Sequence, residues 1–368
     1  MMKRRSFLRT SVGITGIGAL SELNPYTNTV FGETAKSYKP AGSVTEIQGI
    51  KVGHFTDSRR PTGCTVIMAE GGAIGGVSVR GGAPGTRETD LLNSGNLVRK
   101  VHSIILSGGS AFGLDTATGV MHYLEERSIG FDVSIARVPI VPAAILFDLG
   151  IGNKPHIRPD AEAGYQACQS ASENPVSEGS IGAGAGATVG KISFGKSDVR
   201  LPMKGGIGSS CFTTSDGLKV GAIVAVNAVG DIYDPDTGQI LAGSRMPNGS
   251  GFTQISRRIR ENGTFQLKVP PGNTTIGVIV TNAELTKTQA NTMAALGHDG
   301  LARAINPAHL QTDGDTLFTM ATGDWKKKVD LSILSILAGE AVTQAIIRAI
   351  VTATGLPGYP SYSEMNND

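Results

Sequence analysis

An α+β fold with strands layered between helices, α/β/β/α, follows from three features of this 368-residue sequence. Short runs rich in β-branched and apolar residues recur along it; amphipathic helical stretches lie between and after them; and 50 glycines punctuate both. With 40% hydrophobic residues, the chain can bury one large core or two moderate ones, and 41–368 reads as a single domain. Charge is nearly balanced, 33 basic against 31 acidic residues, and no basic stretch is interleaved with aromatics, which sets nucleic acid aside as a partner. The three cysteines, Cys64, Cys168 and Cys211, are far apart and odd in number, so they read as core thiols rather than a disulfide framework or a zinc site.

Residues 1–32 read as a twin-arginine signal peptide and leader. Lys3-Arg4-Arg5-Ser6-Phe7-Leu8-Arg9 precedes a short, glycine-containing apolar region from Ser11 to Leu20, a pattern that implies export to the periplasm. Cleavage after Ser21 or after Gly32 would suit the small-residue rule. No later segment reads as a membrane span.

The elements follow in order. Cys64–Ala69 and Ala73–Val79 predict two strands joined as a hairpin at Glu70-Gly71-Gly72. Arg80 to Asp90 is a loop with charges set among glycines, facing a ligand or solvent. Ser103–Ser107 is a strand, followed by a glycine turn and a helix carrying Leu114, Ala117, Val120, Met121 and Leu124 on one side. A nucleophile elbow is ruled out there because Phe112 stands where glycine is required, which leaves Ser110 as a helix-entry residue. Val138 to Asp148, apolar with two prolines, predicts an irregular buried wall.

Gly182 to Gly190 resembles a phosphate loop but fails the count, since Ala185 and Ile192 occupy obligatory glycine and hydroxyl positions. Lys191, just after it, is either solvated at the start of the next strand or partly buried and in search of a carboxylate. Lys219 to Asn227 is a buried strand whose closing asparagine either forms a turn or serves a site at the strand's end. Leu241 to about Gln266 reads as a surface linker. Pro270-Pro271-Gly272 forces an extended turn before the strand Ile276–Thr281. Thr286-Lys-Thr-Gln289 is a capping box opening a helix, Leu317–Ala321 a strand, and Val329 to Thr354 a helix apolar on most faces, buried or at a subunit interface.

Standard catalytic signatures are missing, and the six histidines show no ligand spacing, so each reads as structural or surface. One route lets a threonine hydroxyl act without histidine: as the first residue of a chain. Its α-amine, which titrates in simple peptides at roughly 7.7 to 8.0, can then serve as base for its own hydroxyl. Thr274, at the loop-to-strand entry, would be freed by cleavage of Asn273–Thr274, its hydroxyl attacking the preceding carbonyl; otherwise it is a strand-edge hydrogen-bonder. Asp313 and Asp315 flank a glycine, so one turn can aim both carboxylates at the amine or hydroxyl, unless they form a plain surface turn. Asn227 is placed to donate to an oxyanion, and Lys191 to neutralise the carboxylates and hold the amine pKa low. Two carboxylates without a third ligand make a poor metal site, and no cofactor is called for.

Several long motifs now fall in a fixed order between about Gly49 and Ala353. They are Arg80 to Asp90, Leu106-Ser-Gly-Gly-Ser-Ala-Phe-Gly-Leu-Asp115, Val138-Pro-Ile-Val-Pro142, Gly182 to Lys191, Val224 to Gly230, Asn273-Thr274-Thr275, His298-Asp-Gly-Leu-Ala-Arg303 and Asp313-Gly-Asp315. The sequence thereby resembles the self-processing L-aminopeptidase/D-esterase family, with its β-peptidyl aminopeptidase and nylon-oligomer hydrolase relatives. The resemblance implies an αββα sandwich, layered like the N-terminal-nucleophile hydrolases but differently connected. It implies a precursor cut into an α chain ending at Asn273 and a β chain starting at Thr274, and a homo-oligomer of αβ units. Thr274 is then nucleophile and base, with Asp313, Asp315, Lys191 and Asn227 completing the site, and the substrate a short peptide or related amide. The classical aminopeptidases have serine after glycine at the cut and Ser-x-Glu in the later turn; Asn273-Thr274 and Asp-Gly-Asp look closer to the nylon-oligomer hydrolases. Two other functions remain open on sequence: an acyltransferase of the ornithine-acetyltransferase kind, and a non-catalytic periplasmic protein that binds a small ligand.

Overall fold

The computed structural model describes residues 38, 41–194, 201–248, 251–262, 267–268, 272–328 and 330–366. The expected leader, Pro270, Pro271 and parts of the expected linker lie outside them.

Eight strands carry the fold: β1 (Ile50–Thr56), β2 (Gly63–Val79), β3 (Lys100–Ser107), β4 (Ala143–Ile145), β5 (Gly206–Thr213), β6 (Lys219–Asn227), β7 (Thr274–Ala283) and β8 (Thr316–Trp325). They run in the order β5-β6-β7-β8-β2-β3-β4, with β1 beside β2. Only β7/β8 and β3/β4 pair in parallel among these eight. Four main helices complete the framework: α1 (Thr116–Glu125), α2 (Ala161–Gln169), α3 (Lys287–Ala304) and α4 (Leu331–Val351).

The expected hairpin at Glu70-Gly71-Gly72 is instead one continuous strand, β2. Its first half, to Ala69, pairs with β1, and its second, from Ile74, pairs with β8. The pairing with β3 shifts register between Met68 and Ala73, and Gly72 sits at φ +74, a conformation glycine adopts without strain. The glycines that suggested reversal therefore bend the strand, and β2 passes from one sheet half into the other.

Alternation of side chains along these strands builds three cores between four layers. Val220, Val224 and Val226 of β6, with Ile279 and Leu317, face Met293 and Leu301 of α3 and Val342 and Ile346 of α4. The opposite faces of the same strands, Ile223, Ile276, Val278 and Phe318, meet Ile67, Ile104 and Leu106 of the other sheet half. Beyond that half, Val66 and Ile105 pack on Val120 and Leu124 of α1 and Ala167 and Cys168 of α2. The αββα layering is thus realised, and the three cysteines are buried free thiols.

Helix α3 starts at the expected capping box: Thr286 accepts from Gln289 N, and the Gln289 side chain accepts from Thr286 N. Helix α4 is long and apolar enough by composition to cross a membrane, yet most of that stretch is buried within the fold, against α3 and the β5–β6 strands. The wall after Val138 does contain a strand, β4, held on one side by β3 and on the other by Thr86–Arg87. The expected linker after Leu241 is also corrected. Ile240–Ala242 pairs with Asp231–Tyr233, and Ile255–Asn262 is a helix whose Ile255 is buried against Ile192 and Val229. Its apolar signal, one isoleucine every four residues, is too sparse to stand out in a segment rich in glycine and arginine.

Candidate active site

Three elements end at one place. Asn227 closes β6 directly opposite Thr274, the first residue of β7, because those strands pair antiparallel in that register. The Asp313–Asp315 turn enters β8, which runs parallel to β7, so it arrives at the same edge, and Gly314 N donates to the Asn273 carbonyl at 3.0 Å. Lys191 reaches in from the end of the glycine loop. All the residues singled out on sequence are thereby gathered around one peptide bond, and Asn227, Asn273, Thr274, Asp313 and Asp315 are all buried.

At that bond the Thr274 hydroxyl donates to the Asn273 carbonyl oxygen at 2.5 Å. The turn crowds it: a Cβ on Gly314 would stand 2.9 Å from Thr274 Oγ1. Asp315 is fully engaged, with Oδ1 accepting from Thr275 N at 2.7 Å and Oδ2 from His309 N and His309 Nδ1 at 3.1 and 2.8 Å. Asp313 differs. Its Oδ2 accepts from Leu310 N at 2.7 Å, while Oδ1 is buried with no hydrogen-bond partner among the described residues.

Lys191 is found against an amide rather than a carboxylate. Its ammonium donates to Asn227 Oδ1 and Asn227 O at 2.7 and 2.9 Å. Together with Thr188 N, which also donates to Oδ1, this fixes the orientation of the Asn227 amide. Asn227 Nδ2 is then turned to Phe147 O and Gly272 O, at 3.0 and 3.4 Å. The Asn273 carbonyl accepts from Gly314 N and the Thr274 hydroxyl, while Asn227 Nδ2 is engaged by those two other backbone oxygens.

Burial dominates the electrostatics. Desolvation, reinforced by the neighbouring Asp315 charge, raises the Asp313 carboxyl to about 7 against the pull of Leu310 N, Lys191 and His309. Desolvation likewise lowers Lys191 to about 7, with Asp313 and Asp148 opposing. Asp313, in the turn against the buried bond, and Lys191, which meets it through Asn227, thus both titrate near neutrality, and groups so perturbed mark a candidate site of proton transfer.

The surroundings hold residues that sequence reasoning passes over. Lys204, fully buried, donates to Gly184 O, Ala187 O and Gly205 O and so ties down the glycine loop that delivers Lys191. Buried Arg60 pairs with Asp148 at 2.7 Å and also donates to Asp148 O, which fixes the carbonyl wall that meets Asn227. The charged loop after β2 does face the site: Arg80 N donates to Asp315 O and Ala83 N to Asp313 O. Spacing alone groups His309 with the structural histidines, because nothing in it ties the residue to Asp315, although only six positions separate them.

Residues 42–362 match peptidase family S58. An uncharacterized aminopeptidase of Mycobacterium leprae is 38% identical over 356 residues, spanning 89% of this chain and 94% of the relative. A 6-aminohexanoate-oligomer endohydrolase of Kocuria sp. is 30% identical over 321 residues, 83% of this chain and 84% of the relative. Among solved structures, the L-aminopeptidase D-Ala-esterase/amidase of Ochrobactrum anthropi, described as a variant of the Ntn hydrolase fold, matches with a TM-score of 0.63. Its identity is 16%, over 88% of this chain and 89% of that one. A Burkholderia beta-aminopeptidase matches at 0.62 and 20% identity, over 87% and 90%. At such identities the structural likeness speaks for the fold, while the sequence match runs across almost all of it: the chain is a hydrolase belonging to peptidase family S58.

Proposed function

We propose that this chain is an autoproteolytic hydrolase whose nucleophile is Thr274, freed by cleavage of its own Asn273–Thr274 bond. In this reading it releases N-terminal residues from short peptides or related amides after export to the periplasm. One observation carries the proposal: the Thr274 hydroxyl lies 2.5 Å from the Asn273 carbonyl oxygen, and Gly314 N donates to that same oxygen. The hydroxyl is within reach of the carbonyl carbon, and the donor is where negative charge would build as attack proceeds.

Cleavage then runs as an acyl shift. Thr274 Oγ1 bonds to the Asn273 carbonyl carbon, its proton passing to the carboxylate of Asp313 in the adjoining turn, whose buried Oδ1 is unpartnered among the described residues and so open to accept it. The carbon–nitrogen bond breaks as that proton reaches the leaving nitrogen, giving an ester that water hydrolyses to an Asn273 carboxylate and a free Thr274 amine. In turnover this amine takes the hydroxyl proton, and the substrate's acyl group replaces that of Asn273. Departure of the Gly272-Asn273 end removes Gly272 O, one of the two acceptors of Asn227 Nδ2, so that an N–H of that amide can donate to the substrate oxyanion; Lys191 keeps the amide turned toward the site. The names of the relatives support both an aminopeptidase and an oligoamide substrate, and a panel of aminoacyl p-nitroanilides and 6-aminohexanoate oligomers separates them.

The test is a denaturing gel with N-terminal sequencing. Purified protein yields a fragment Thr274–Asp368 of roughly 10 kDa that begins Thr-Thr-Ile. Thr274→Ala remains uncut and loses hydrolysis by a factor on the order of 10³ or more, while Thr274→Ser retains part of both. An intact chain with full activity would sink the reading.

A further inference from the structure

His309 lies outside every motif that marks the site, and its environment is hard to explain as packing alone. Its backbone is left-handed, φ +58, a conformation that non-glycine residues seldom hold. That turn lets both its N–H and its ring Nδ1 converge on a single oxygen, Asp315 Oδ2. The other oxygen of the same carboxylate accepts Thr275 N at 2.7 Å, the peptide directly after the Thr274 hydroxyl. Behind the ring, His298 stands edge-on with centroids 4.7 Å apart, itself anchored to Ser78 O at 3.1 Å. Burial lowers His298 to about 4, so it stays neutral and gives the His309 ring a fixed, uncharged backing.

We propose that His309 is a positioning residue for the Thr274 site: it clamps Asp315 in the one orientation that holds the Thr275 N–H, and through it the peptide on which the Thr274 hydroxyl is carried. The two carboxylates of the Asp-Gly-Asp turn thereby divide their work. Asp315, with both oxygens held by three donors, is a strut; Asp313, with a bare Oδ1, is the group left to exchange a proton with Thr274. Displacing a nucleophile by about 1 Å is enough to slow a reaction on the order of 100-fold, so a strut one peptide away has leverage on rate without touching the reacting atoms.

This inference rests on Thr274 being the nucleophile, and self-cleavage tests it without any choice of substrate. His309→Gly removes the ring donor while tolerating the left-handed backbone; His309→Asn restores a side-chain donor, and asparagine is among the residues that accept that conformation. The rate at which the fragment beginning Thr-Thr-Ile appears in freshly expressed protein is the readout, with thermal melting measured alongside. The glycine variant should cut about 10- to 100-fold more slowly, the asparagine variant should recover most of that loss, and added imidazole should partly rescue the glycine variant, because the side chain it replaces is 20% exposed. A glycine variant that cuts at the wild-type rate overturns the proposal, as does an asparagine variant that cuts well below the wild-type rate; the latter result stays decisive even where the glycine variant melts early. Thr274→Ala in parallel separates the two claims: if it is still cut before residue 274, the nucleophile reading fails, whereas an uncut Thr274→Ala beside a normal His309→Gly removes only the strut.

Discussion

Asp313 and Asp315 are separated by one glycine, yet Asp315 has both oxygens held by donors while Asp313 keeps a bare buried oxygen. The difference has a consequence for stability. An aspartate titrates near 3.8 when unfolded, and burial raises Asp313 to about 7 in the fold. Between those values the folded chain holds a proton that the unfolded chain has lost, so stability falls as pH rises through that window and the penalty is complete above it. Asp313→Asn should therefore melt higher than the wild type at pH 8, by a few degrees, with the gain shrinking as pH drops toward 4; calorimetry across that range checks it. The same variant should lose self-cleavage, whereas the wild-type rate should climb with pH through about 7 as Asp313 ionises. Lys191 has the opposite sign: lowered from 10.5 to about 7, it destabilises the fold at and below neutrality and ceases to do so as pH rises toward 10.5. That both carboxylates share one tight turn was legible in the spacing. Which of them is bare was not, because it depends on His309 and on the β7 backbone, neither of which shares a motif with the turn.

Among the elements, β2 shows why local patterns mislead and where they can be trusted. Glycine pairs flanked by apolar runs signal a hairpin, but the signal carries no information about whether the flanking runs find each other or different partners, β1 and β8. Helix α3 was easier, since its capping box and its spacing are both local. The two meet at Gly76. A Cβ there would stand 2.3 to 2.6 Å from the backbone of Ala290 and Asn291, and the Asn291 side chain accepts from Val77 N at 2.8 Å, so the helix is pinned where it would have to move. Gly76→Ala should cost about 1–3 kcal/mol, read as an earlier thermal midpoint. Because α3 connects β7 to the segment that carries His309 and Asp313, self-cleavage should slow as well. A variant with unchanged melting and processing would show that the helix yields freely.

For the whole molecule, the layering was legible because strand alternation and helix amphipathicity report buried faces; the order of strands was not, since it is set by pairings between distant segments. That order decides what becomes of a cut chain. The peptide bond proposed to break lies at the entry to β7, whose neighbours are β6 from before the cut and β8 from after it, and β8 in turn pairs with β2 from before the cut. The two strands of the later fragment are thus enclosed on both sides by strands of the earlier one. Their faces are no freer. Helices α3 and α4 of the later fragment bury Val342 and Ile346 with Val220 and Val224 of β6, and Ile276 and Phe318 meet Ile67 and Leu106 across the central core. Separating the fragments would expose two of the three cores and a ladder of backbone hydrogen bonds on each side of the β7–β8 pair. The processed protein should therefore elute from a sizing column under native conditions with both fragments in one peak, and part only in denaturant. Unfolding followed by circular dichroism should show one transition for both fragments together. Recovery of the Thr274–Asp368 fragment as a separate native species would contradict the interleaved sheet.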